Sequence, residues 1–266
     1  MFMKTNKWII LFFLFFCQCA NDKMIVDENE FNLTISPGAC FPEISDKYIY
    51  SDSKEDWIEA NQVIDGTLTL CQLPDDVLKS ISTPGLIDAL IHAPLFTTTH
   101  LHTNLSALQW FRSEIYPKFN SASELLKRKD AGEALVAYYK LACLDCIEPL
   151  TGVDSFSHCC PGISIQTRFN GLEYLFTIQE ILDKMKHRKK QEAVAAILVN
   201  YERYMKYWNA IVPMAYIMLA DEYKPIVKYF QEHNETFSQF VLEGWGPEGH
   251  EDAIISFAKS FIKNKN

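Results

Sequence analysis

Residues 70–96 read LCQLPDDVLKSISTPGLIDALIHAPLF, and this stretch decides the fold. It reads as two short helices in tandem. Pro74 suits a first helical position, because its missing N–H would be unbonded there anyway. Asp75 and Asp76 place negative charge at the positive end of the helix dipole. Val77, Leu78 and Ile81 recur at three- and four-residue spacing and make one apolar face. The second helix repeats this grammar. Ser82 or Thr83 caps it, Pro84 opens it, and Leu86, Ile87, Leu90 and Ile91 form its buried stripe. Pro94 disfavours helical geometry at Ala93 and ends it. Two short amphipathic helices cannot bury their faces alone, so the rest of the chain must cover them.

Toward the N-terminus, residues 1–19 predict an export signal. Lys4 and Lys7 form a positive start, and Trp8–Phe16 is an apolar run too short to span a bilayer, which takes about 20 residues. Cys17-Gln18-Cys19-Ala20-Asn21-Asp22 follows. A cysteine directly after the apolar run resembles a bacterial lipoprotein signal, in which that cysteine is lipidated and becomes the mature N-terminus. Cys19 is the expected site, because polar Asn21-Asp22-Lys23 reads as the start of a tether. Gln18 before Cys19 and Phe16 before Cys17 depart from the small residue such signals prefer, so an ordinary cleaved signal is the alternative. The expected location is the bacterial cell envelope, with membrane contact only through the N-terminal anchor or signal.

Removing the signal leaves about 248 residues, enough for one large domain or two small ones. The net charge of the chain is −9. With no basic stripe apparent in the sequence, nucleic acid is not an expected partner. The partners expected are another protein or a small ligand.

Residues 20–53 are expected to form a tether and an irregular lead-in, punctuated by Ser36-Pro37-Gly38 and Phe41-Pro42, with Tyr48-Ile49-Tyr50 forming a short strand or docking. Residues 54–266 are expected to be a single helical domain. Its further helices are Lys54–Gly66, a segment from Asn104 or Ser106 that stops before Pro117, Ser121–Lys127, Asp130–Leu144, Asn170–Met185, Gln191–Trp208, Ile211–Tyr223, Pro225–His233, Glu235–Leu242 and Glu251–Ile262. Ile211–Tyr223, the most apolar segment, is expected to be the most buried. A Cys-rich connector occupies residues 143–162. The basic run Lys184, Lys186, Arg188, Lys189 and Lys190 reads as cations complementing a helix C-terminus, with binding to an anionic surface as the alternative. The fold class is therefore all-α, with about ten to twelve short and medium helices and almost no strand alternation. Glu124–Lys129 before one helix and Glu180–Met185 before another share a pattern, which suggests an α-solenoid-like stack of helix pairs.

Cys71-Gln72-Leu73-Pro74-Asp75-Asp76-Val77-Leu78, Ser82-Thr83-Pro84-Gly85-Leu86 and Pro94-Leu95-Phe96, followed by Phe119–Gly132, resemble a group of uncharacterised exported bacterial proteins of the Bacteroidetes and Clostridia type. The likeness covers roughly residues 54–215. It implies a helical, secreted or surface-anchored protein, and brings no activity, cofactor or catalytic residue.

Beyond the signal lie Cys40, Cys71, Cys143, Cys146, Cys159 and Cys160. Cys143 and Cys146, with His158, Cys159 and Cys160, hold the ingredients of a zinc site, since zinc wants four nitrogen or sulfur ligands in a tetrahedron. Adjacent Cys159 and Cys160 serve one ion poorly, and an exported chain meets oxidising conditions. The preferred reading is a disulfide from Cys143 or Cys146 to Cys159 or Cys160; a loop of about fifteen residues closed this way gains about 3 kcal/mol in the chain-entropy model. Buried thiols and zinc are the alternatives, and no cofactor is implied. His100 and His102, with His92 nearby, read as solvated histidines on a connector, with no carboxylate close in sequence to complete a metal site. The loop Glu243–Asp252 gathers glycines, Trp245 and His250, a composition ligand loops share; the alternative is a hinge with Trp245 in the core. Tyr201, Tyr204, Tyr207 and Trp208 at helical spacing read as core, with a carbohydrate-stacking platform as the alternative if they are exposed. No catalytic motif stands on a suitable element, so the expected function is non-enzymatic binding or interaction. A metal-binding protein or enzyme built on Cys143–Cys160 or the Trp245 loop is the rival.

Overall fold

The computed structural model describes residues 31–50, 69–93, 108, 111–143, 161–203, 210–233 and 250–264. These are all-α, with eleven helical elements and no strand among them. The expected helix at Lys54–Gly66, the helix at Glu235–Leu242, the signal with Cys17 and Cys19, and most of the connector lie outside the described residues.

The opening stretch folds as the sequence dictates. Pro74 occupies the N-cap of α1 (Asp75–Ser80), with both aspartates in the first turn. Ser82 caps α2 (Thr83–His92), its hydroxyl accepting from the Gly85 N–H at 3.1 Å. Asp46 doubles this cap by accepting from the Ser82 N–H at 2.5 Å and its hydroxyl at 2.9 Å. Every residue of α2 from Thr83 to Ile91 is buried, so α2, rather than the more apolar α8 described below, is the innermost helix. From Pro84 to Ile91 it is apolar on all sides except at Asp88, and a helix of that kind belongs in the middle of a core.

A π-helical turn, Phe111–Ile115, closes with the Tyr116 N–H on the Phe111 carbonyl and leads into Pro117. There follow α3 (Asn120–Leu125), α4 (Ala131–Leu141), α5 (Pro161–Leu175), α6 (Gln179–Leu182), α7 (His187–Arg203), α8 (Ile211–Ala220), α9 (Lys224–Glu232) and α10 (His250–Lys263). Several boundaries differ from expectation. Helix α7 starts at His187 rather than Gln191, so Arg188, Lys189 and Lys190 open a helix and do not close the preceding one, which ends at Leu182. Helix α5 starts at Pro161 rather than Asn170, because proline suits a first turn. The expected Asn170–Met185 helix breaks after Leu175, where the Thr177 hydroxyl donates to the Tyr174 carbonyl at 2.7 Å and offers the backbone an alternative to the helix ladder.

Helix α2 is sheathed by α3, α4 and α5; α7 packs against α4, α8 and α10; α9 closes over α8 and α10; α6 touches α4 and α8. One contiguous core runs through all of it. Three short-helix, turn, long-helix pairs recur: α1–α2, α3–α4 and α6–α7. The second and third share their detail. Buried Phe119 and Ile178 stand at the N-caps in extended geometry, and Leu126 and Asp183 at the C-caps have near-identical dihedrals. Their turns interlock. The Lys184 ammonium donates to the Leu126 carbonyl and, at 2.8 Å, to that of Arg128. Met185 lies so close over Gly132 that a Cβ there would fall 2.2 Å from Met185 Cγ.

Residues 31–50 are irregular, as expected, yet they are docked on the domain. Leu33 and Tyr50 are buried, the Tyr50 hydroxyl donates to the Ala89 carbonyl at 3.0 Å, and the Cys143 N–H donates to the Cys40 carbonyl at 2.9 Å. The folded unit therefore takes in residues that the sequence reads as a tether.

Candidate functional site

The strongest convergence of polar groups lies where α2, α4 and α5 meet beneath residues 41–50. Asp88 is its centre. The aspartate falls inside the apolar run Leu86–Ile91, so forming α2 carries a carboxylate into the core with 0% of its surface exposed. Helical spacing puts His92 one turn on, with Nδ1 3.2 Å from Asp88 Oδ1 and 2.9 Å from the Asp88 carbonyl. Helix α4 supplies Tyr138, whose hydroxyl donates to Oδ1 at 2.7 Å. Lys47 brings its ammonium to 3.7 Å from Oδ2, too long for a hydrogen bond. Phe41 sets its ring edge against His92, with centroids 5.3 Å apart.

These neighbours decide the charge state. Burial alone would raise the Asp88 carboxyl. The hydrogen bond and charge of His92, the hydrogen bond of Tyr138 and the charge of Lys47 outweigh it and hold Asp88 below the usual carboxylate range. Tyr138 moves the other way: burial and the Asp88 charge push its hydroxyl well above the ordinary tyrosine value. Helix α5 contributes Arg168, whose guanidinium feels Asp88 and Tyr138 while burial lowers it from the usual arginine value. Arg168 Nε and Asp88 Oδ2 are both buried and neither has a hydrogen-bond partner. An ionised acceptor and a cationic donor thus interact through charge, with no hydrogen bond between them.

On the opposite flank of α4, the Tyr139 hydroxyl donates to Glu173 Oε1 at 2.8 Å. Glu173 is fully buried and its Oε2 has no partner. Burial pushes this carboxyl up to about 8, against the pull of the Tyr139 hydrogen bond. Helix α5 adds Asn170, whose Oδ1 is also buried without a partner.

The residues singled out in the sequence fall elsewhere. Cys143 carries a thiol whose Sγ reaches the Ala39 carbonyl at 3.7 Å, and Cys71 is a buried thiol. Cys40, to which the sequence assigned no bond, is disulfide-bonded, and its partner sulfur lies outside the described residues. Of the two cysteines the sequence offers for that side of the bridge, Cys143 is a thiol, its N–H on the Cys40 carbonyl. Cys146, His158, Cys159 and Cys160 lie outside the described residues, as do His100, His102, Trp245, Tyr204, Tyr207 and Trp208. Among the described residues no cluster of metal-ligating side chains occurs. His250 is the buried first residue of α10, with Nδ1 2.5 Å from the Tyr229 hydroxyl, so this end of the loop is packed rather than open. Tyr201 is core, as expected, with its hydroxyl on Glu251.

His92 corrects the reading of a solvated histidine on a connector. It ends a helix, is mostly covered, and its carboxylate partner lies one turn back at Asp88. The signal that was missed was a charged residue inside an apolar helical stripe. Asp88 and Glu173 share that signature, since a helix that buries such a group must supply it with partners; Arg168, set among Gln166, Thr167 and Asn170, does not show it. No known protein family, curated protein or solved structure matches this chain.

Proposed function

We propose that the chain is a non-enzymatic helical binding protein, exported and anchored through Cys19, that holds a small zwitterion at the polar layer around Asp88. The observation that carries this reading is the pair of buried, oppositely charged groups, Asp88 Oδ2 and Arg168 Nε, each lacking a hydrogen-bond partner. Buried polar atoms in native proteins are almost always satisfied, and an unmet charged group costs more than a neutral one. A ligand with an ammonium group for Asp88 and a carboxylate for Arg168 completes both at once. Arginine suits a carboxylate because its fork of donors matches two oxygens.

The test is to titrate the full chain with each standard L-amino acid and follow thermal melting and calorimetric heat. At least one should raise the melting temperature in a concentration-dependent way, about 2.7 kcal/mol of stabilisation at a hundredfold excess over Kd. Arg168→Lys should weaken that response. If no amino acid has any effect and Arg168→Leu is as stable as the parent, the layer only sets helix register and the reading fails. The anchor is tested separately: mass spectrometry of the mature N-terminus should find a lipidated Cys19, and an unmodified start after Ala20 rules it out.

A further inference from the structure

We propose that the interlocked turns of the second and third helix pairs form a docking face for an anionic phospholipid surface. Two basic runs far apart in sequence, Lys127-Arg128-Lys129 and Lys184–Lys190, come together here because the Lys184 ammonium caps the carbonyls of Leu126 and Arg128 and Met185 seats on Gly132. Lys184 and Lys190 turn inward, Lys190 onto the Ala220 carbonyl and Asp221. Lys127, Lys129, Lys186 and Arg188 remain exposed.

The acids within this face are outnumbered. Glu124 is shared by Lys127 at 3.1 Å and Arg128 at 3.2 Å. Glu192 is shared by Lys189 at 3.0 Å, Arg188 at 3.5 Å and Lys140 at 3.8 Å. Lys129 and Lys186 make no ion pair among the described residues; Glu180 and Asp183 are exposed acids of the same helix and turn, so four exposed cations (Lys127, Lys129, Lys186, Arg188) stand against two exposed acids. In a chain of net charge −9 this local excess of cations is the exception, and a partner must be more negative than the face to be drawn to it. Most of these cations are lysines on flexible stems, which suit a diffuse array of headgroups better than one fixed anion. No Phe, Tyr or Trp interrupts either run, so the stacking platform of a single-strand nucleic-acid groove is missing.

The experiment is co-sedimentation of the full chain with vesicles of phosphatidylcholine alone and of phosphatidylcholine with phosphatidylglycerol, at low and high salt. Lys4 and Lys7 beside the apolar run Trp8–Phe16 favour the phosphatidylglycerol vesicles by themselves, so the comparison of parent with variants carries the assignment. Binding should be stronger to the phosphatidylglycerol vesicles and should fall with salt, as screening requires. The double variant Lys129→Glu/Lys186→Glu should lose at least about 20-fold in partitioning at low salt, taking roughly fivefold per cation removed. Its melting temperature should match the parent, and Lys129→Gln/Lys186→Gln, which leaves no reversed charge, should lose less. Equal binding to the two vesicle types, indifference to salt, an unchanged double variant, or preference for a DNA duplex over the phosphatidylglycerol vesicles would each overturn the assignment.

Discussion

Glu173 and Asp88 respond to acid in opposite directions. Burial holds Glu173 at about 8, above its ordinary 4.5, so the native chain keeps a proton that the unfolded chain releases between those values. Its contribution to stability is complete below about pH 4.5 and is lost as pH rises through 8. At roughly 1.4 kcal/mol per unit the loss amounts to a few kcal/mol. Glu173→Gln, which keeps an acceptor for Tyr139, should therefore gain stability at pH 8 and flatten this part of the profile, read from urea midpoints at pH 5 and pH 8. Asp88 is held below its ordinary value, so its contribution is present above the usual carboxylate range and vanishes as acid protonates it. Asp88→Asn should cost about 2 kcal/mol at neutral pH, because the Tyr138 hydroxyl and His92 lose a charged acceptor. A D88N variant as stable as the parent at neutral pH would show that the charge is dispensable to the fold.

At the scale of elements, two features are open to direct test. Helix α8 ends with Glu222 at φ 52°, while the Tyr223 N–H donates to the Met218 carbonyl and the Glu222 N–H to that of Leu219. This is a Schellman ending with glutamate at the left-handed position where glycine is normal. Glu222→Gly should raise stability by about 1 kcal/mol, the cost of the left-handed conformation for an L-residue, measured by thermal or urea unfolding. Gly132→Ala should do the reverse. The added methyl meets Met185, so the α3–α4 and α6–α7 turns must part, at about 1–3 kcal/mol by the usual cost of overpacking. An alanine variant of unchanged stability would mean that the turns separate freely.

For the whole molecule, local grammar is easier to read than assembly. Pro74, Ser82, Pro84 and Pro94 act within one turn of themselves, so the starts and stops of α1 and α2 were legible. The all-α class followed from many such local signals. That Tyr48-Ile49-Tyr50 docks was one of two readings, but where residues 31–50 dock was not legible, because Tyr50 on the Ala89 carbonyl and Asp46 on Ser82 are pairings between segments tens of residues apart. The candidate site was hidden for the same reason. Asp88, Tyr138 and Arg168 each sit in a helix that explains itself without them, and their meeting depends on how α2, α4 and α5 cross. The cysteines and the Trp245 loop drew attention because irregular stretches concentrate unusual residues. Charge summed over the chain conceals the basic face that folding assembles from two turns. Because one core runs through every described helix, Asp88→Asn should shift a single unfolding transition rather than split it, checked by comparing circular dichroism with tyrosine and tryptophan fluorescence.

The depth of α2 has a further consequence during synthesis. The helix leaves the ribosome early, but Tyr138 follows Asp88 by fifty residues, and the helices that sheath α2 all lie later in the chain. At about 5–20 residues per second, several seconds pass before they arrive. Throughout that interval Leu86, Ile87, Leu90 and Ile91 have no cover, and the nascent chain presents an apolar segment to its surroundings. A holding chaperone that shields residues 83–92 should raise the yield of folded protein, and an early pause that lengthens the gap should lower it.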